Sequence, residues 1–168
     1  MTTRSVLCGI DFSDASVDVL RFAIDEALMR QATLDIVHAW TPPSRPLDPI
    51  GITGMEDDSA ELRKALDALT LPKKIQAVRR HFVRGLPRDC VANLARQLGS
   101  ELLVVGSHSQ PRLARWLLGS VAESLTRVSP CPVVVVRPTL ELASEKEERE
   151  QHQKSSPMTI SVALSGNA

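Results

Sequence analysis

The chain has 168 residues, 20 basic and 20 acidic side chains, a formal net charge of zero and 43% hydrophobic residues. That length fits one domain with a sizeable core, and the charge balance excludes the basic excess of a dedicated nucleic-acid binder. No apolar run approaches the roughly 20 residues that span a bilayer, and Gly9 and Asp11 interrupt the apolar start, so neither a membrane partner nor a secretory leader is expected.

Val6 to Ile10 reads as a first buried strand. A helix follows from Ser13, with Val17, Leu20, Ile24, Ala27 and Leu28 at helical spacing. Leu34 to Ala39 is a second strand. Residues 41–56 carry four prolines and two glycines and form a long loop. Asp57 to Leu69 is a short helix. Ile75 to Val83 partly alternates and carries Arg79, Arg80 and His81, as an edge strand with one wet face would. Pro87 opens a helix bearing Val91, Leu94, Ala95 and Leu98, and Gly99 stops it. Leu102 to Val105, a helix from Ser120 to Val128, and Val133 to Val136 complete the order. Near-continuous apolar strands alternating with helices imply an open α/β parallel sheet covered on both faces. Residues 1–138 read as the domain and the charged stretch 139–168 as a tail, either solvated or partner-binding. Cys8, Cys90 and Cys131 are widely spaced and suit a reducing compartment, so the expected location is cytoplasmic.

Ligands of such sheets bind beyond the carboxyl ends of strands, where strand order reverses. Asp11, Ala39 and Gly106 stand at three such ends. Asp11 is placed either to accept bonds from ribose hydroxyls or, with Ser13, to cap the first helix. Leu118-Gly119-Ser120-Val121 leads into a helix, whose start attracts phosphate. Gly119 admits a phosphate oxygen close to the main chain, and Ser120 can donate to it. Ser120 with Glu123 also matches a capping box, which is compatible with either role. Arg112 and Arg115 are candidates to neutralise phosphate, or plain surface. The loop lacks the Gly-Lys-Ser/Thr of a Walker loop, and Trp116 reads as packing. Ser107, His108 and Ser109 lie too close in sequence for a nucleophile–base pair, and no histidine spacing suggests a metal site. No enzyme is expected.

Three stretches, "VLCGIDFSDAS", "HFVRGLPRDCVANLARQLGSELLVVGSHS" and "WLLGSVAESLTRVSPCPVVVV", resemble the universal stress protein family over roughly residues 4 to 137. The resemblance implies a flavodoxin- or Rossmann-like three-layer sandwich whose five-stranded parallel sheet has the order 3-2-1-4-5. It also implies ATP, with or without Mg2+, in members carrying Gly-x2-Gly-x9-Gly-Ser/Thr. Gly106, Ser109, Gly119 and Ser120 fill that pattern here, with serine in place of the second glycine. By that likeness Asp11 holds ribose, the backbone around His38 and Ala39 meets adenine, and Gly106, Ser109, Gly119, Ser120 and Val121 surround ribose and phosphates. The family's last strand pairs with its copy, so Val133, Val134, Val135 and Val136 are the expected homodimer edge. Cover by the tail is the alternative. The expected function is regulatory binding of ATP or a related adenine nucleotide in the stress response, without strong catalysis. The alternative is a nucleotide-free member acting through dimerisation and contacts with a client protein.

Overall fold

The computed structural model describes residues 4–42, 58–75, 77–107 and 119–137. In chain order these form β1 (Ser5–Gly9), α1 (Ala15–Arg30), β2 (Thr33–Trp40), α2 (Ser59–Asp67), β3 (Val78–Arg84), α3 (Pro87–Leu98), β4 (Leu102–Gly106), α4 (Ser120–Val128) and β5 (Val133–Val136). The strands build one parallel sheet in the order β3-β2-β1-β4-β5. β1 is central, and Val6 pairs with Leu34 on one side and Leu102 on the other.

Alternating side chains divide the core into two layers. Val6, Cys8, Leu34, Ile36 and Val104 pack under α1 and α2. Leu7, Val37, Leu103 and Val105 pack under α3 and α4. Cover on both faces explains why the strands read as unbroken apolar runs. α1 buries Val19, Leu20, Ala23, Ile24 and Ala27. Val17, placed on that stripe by spacing, is only half-buried, because the buried face is rotated toward Val19 and Ala23. α2 is shorter than expected, and β3 begins at Val78, three residues after Ile75.

Two helices end in the same way. Gln31 takes φ 53° and Gly99 φ 61°, and the next amides, of Ala32 and Ser100, reach back 2.9 Å to the carbonyls of Ala27 and Ala95. Left-handed caps of this kind satisfy the last carbonyls. Gly99 adopts its angle freely; Gln31 adopts it at some cost.

The edge strand β3 is not simply wet. Its Arg79 forms two bonds to Asp35 of β2, Nε to Oδ1 at 2.7 Å and Nη2 to Oδ2 at 2.8 Å. His81 Nε2 donates to Asp35 Oδ1 at 2.7 Å, and the Ser5 hydroxyl donates to Oδ2 at 2.7 Å. Asp35 is fully buried, so these donors replace its water. Burial alone would raise its pKa, but the Arg79, His81 and Ser5 hydrogen bonds and the Arg79 charge together hold it below the ordinary carboxylate value.

Candidate functional site

Strand order reverses between β1 and β4, and a cleft opens beyond their carboxyl ends. Its walls include Gly9, Ile10 and Asp11 from the first strand and its exit, Ala39 from β2, Gly106 from β4, and Val121 and Leu125 from α4. Gly9 keeps the floor low. A Cβ there would lie 3.2 Å from Val105 Cγ1 on the cleft side of the sheet. Gly106 serves a different neighbour, since its Cβ would lie 3.3 Å from Val19 Cγ2 of α1. The second glycine therefore also lets α1 approach the sheet.

The turn from β1 to α1 presents Asp11. Its Oδ1 accepts from the Ser13 amide at 3.0 Å, the Ser13 hydroxyl at 2.6 Å and the Ser16 hydroxyl at 2.9 Å. This is a local turn around the carboxylate. It is not the expected helix cap: the residue flanking α1 is Asp14, with no side-chain cap bond. Phe12 holds the turn in place with φ 61°, which is rare for an aromatic residue. Its ring packs 4.9 Å from that of His38, whose Nδ1 donates to the Ile10 carbonyl at 3.0 Å. The strained backbone is thus clamped by stacking and by a buried hydrogen bond.

The start of α4 corrects another expectation. The flanking residue is Gly119, with extended backbone (φ −61°, ψ 146°), and Ser120 is the first helical residue. Among the described residues no side chain caps this end, and Ser120 and Glu123 do not form the capping box. Glu123 instead pairs with Arg127, Oε1 to Nη2 at 2.6 Å, one turn on. The first-turn amides carry the partial positive charge of a helix start. Gly119 N donates to the Ser107 carbonyl at 2.7 Å, which ties this helix start to the end of β4.

Of the residues singled out in the sequence, Asp11, Ala39, Gly106 and Val121 line the cleft. Gly119 and Ser120 directly precede Val121 at the helix start. The His38 ring does not enter it, because His38 faces α1 and α2 between Phe12 and Phe82. Ser109, Arg112 and Arg115 lie outside the described residues, as do His108 and Trp116. Gly9, Ser16 and Val91 also line the cleft and were not singled out. The serine two residues beyond Ser13-Asp14 was the available signal for Ser16. Asp11 is the one acidic side chain among the described lining residues, and among the described residues no cluster of His, Cys, Asp and Glu could hold a metal. The cleft thus joins a mostly apolar floor to one carboxylate, Asp11, and to the start of α4.

The universal stress protein family model matches residues 2–137. Universal stress protein A homolog 1 of Coxiella burnetii is 33% identical over 141 residues, covering 81% of this chain and 97% of its own. A universal stress protein of Mycolicibacterium smegmatis is 36% identical over 138 residues, covering 79% of this chain but only 45% of its own. Among solved structures, one universal stress protein in complex with cAMP is 29% identical with TM-score 0.56, covering 82% of this chain and 98% of its own. The Archaeoglobus fulgidus protein in complex with dAMP is 25% identical with TM-score 0.59, covering 80% and 98%. No helix among the described residues is long and apolar enough to cross a membrane. On the family model and the Coxiella relative together, the chain belongs to the universal stress protein family.

Proposed function

We infer that the chain binds an adenine nucleotide in the cleft between the ends of β1 and β4, as a regulatory state and not as fuel for chemistry. The observation that carries this is the start of α4, uncapped among the described residues, beside the switch-point cleft. The two ligands of the structural neighbours, cAMP and dAMP, share adenine and a 5′ phosphoryl group. Those are the parts an apolar floor and a helix start recognise. In this reading Asp11 accepts from ribose, the backbone at Ala39 meets the base, and Gly106, Ser109, Gly119, Ser120 and Val121 surround sugar and phosphate. ATP, with or without Mg2+, is the fuller ligand, and Arg112 and Arg115 are the candidates to neutralise its phosphate charge. Calorimetric titration of nucleotide-stripped protein with AMP and ATP is expected to give saturable binding. No heat up to millimolar nucleotide, with an unchanged melting temperature, would instead support a nucleotide-free protein acting through a client.

The same reading places the chain in the cytoplasm as a homodimer joined along Val133–Val136, with 1–138 as the domain. β5 is a half-buried edge strand with no outer neighbour among the described residues. All three cysteines are free, and burial pushes the Cys8 thiol up to about 12. Sedimentation at micromolar concentration is expected to give a dimer for the full chain and for a chain ending at Pro138. A monomeric full chain with a dimeric truncation would mean that the tail 139–168 covers the edge.

A further inference from the structure

A second cavity lies on the opposite face of the sheet, at the edge made by β2 and β3. Trp40 and Arg84 are the last register pair of that ladder, and Phe82 precedes Arg84 by two residues on the same face. The far end of α2 is fixed to the sheet by Arg80, which donates to the carbonyls of Leu66 and Leu69 at 3.1 and 2.9 Å. Between the first residues of α2 and the strand ends remains a cavity of about 230 Å³, lined among the described residues by Trp40, Ser59, Arg63, Phe82 and Arg84. At about 30 Å³ per water this is room for roughly seven waters, and hence for an ion the size of pyrophosphate. None of these five residues lines the nucleotide cleft.

Two guanidinium groups converge on this space, each laid on an aromatic ring. Arg63 lies 4.6 Å from the Phe82 centroid, and Arg84 lies 5.7 Å from that of Trp40. Neither has a carboxylate partner among the described residues. The acid beside them, Asp58, accepts from Trp40 Nε1 at 2.8 Å. Stacking on a ring orients a guanidinium while leaving its N–H edge for an anion. A carboxylate satisfies one such fork. A phosphate, with three terminal oxygens, can bridge two.

We propose that this cavity is an anion site for a small phosphorylated molecule, held by Arg63 and Arg84. The chain has two tryptophans, Trp40 and Trp116. In a Trp116→Phe background the Trp40 emission therefore reports on the site alone. In phosphate-free, low-salt buffer, pyrophosphate is expected to change that emission saturably. The midpoint rises at least tenfold in the Arg63→Gln, Arg84→Gln double variant and stays unchanged with Gly119→Ala. If the double variant melts early, Arg84→Gln alone, at an exposed position, carries the comparison. Saturation by ATP but not by AMP in the Gly119→Ala background would identify a nucleotide's polyphosphate tail as the source. Saturation by pyrophosphate without ATP would identify a free phosphorylated anion. A response that stays linear to several millimolar, persists in the glutamine variants or vanishes with Gly119→Ala would overturn the proposal.

Discussion

Gly119→Ala is expected to weaken AMP binding at least tenfold while leaving the melting temperature within a few degrees of the parent. Gly119 sits at φ −61° and ψ 146°, an extended conformation open to any residue, so the glycine is not required by its backbone. Alanine there removes unfolded-state freedom, worth about 0.4–1 kcal/mol of stability. It is also a poorer helix cap than glycine by a similar amount. The two effects offset, and about 1 kcal/mol either way moves the midpoint by only a few degrees. What the methyl group changes is the approach of phosphate to the first amides of α4. Losing one or two charge-assisted bonds of about 1.5–3 kcal/mol each accounts for the tenfold or greater effect. Calorimetry beside a thermal melt separates the two. Unchanged affinity would remove the helix start from the site, and a large drop in melting temperature would make Gly119 structural.

Asp35→Asn is expected to cost about 2–3 kcal/mol at neutral pH, by urea unfolding. The buried carboxylate is surrounded by donors from Arg79, His81 and Ser5. An amide nitrogen in place of one oxygen faces a donor with another donor, and the Arg79 charge loses its partner. Breaking a buried pair costs about 3–5 kcal/mol when both partners stay buried. The Arg79 side chain is 46% exposed and recovers water, which lowers the figure. The pH dependence has a definite sign. The folded pKa of Asp35 lies below the ordinary value, so its stabilisation is complete above about pH 4, where the unfolded aspartate is ionised, and is lost as pH falls through the folded value. The stability gap between parent and variant should therefore shrink as pH drops below about 4. Parallel acid limbs would contradict the assignment.

The sheet was readable from its apolar runs, while its strand order came from family resemblance, because periodicity carries no information on neighbours. Asp35 shows the limit of that reading. It lies inside an apolar strand, and its partners Arg79 and His81 looked like the wet face of an edge, since pairing across β2 and β3 is invisible until register is known. Ser120 and Glu123 had capping-box spacing, yet Gly119 took the cap because the chain enters α4 one residue earlier. Asp11 and Gly106 were legible because strand ends leave signatures in glycine and polar residues, Ala39 as the end of an apolar run, and Val121 through the family resemblance. Phe12 was not, since its left-handed backbone depends on packing against His38.

The most direct measurement is a titration of nucleotide-stripped protein with AMP, followed through assigned backbone amide signals. Binding in the cleft predicts saturable shifts at Gly9–Asp11, Gly106 and Gly119–Val121. No saturable shift at those residues would contradict it.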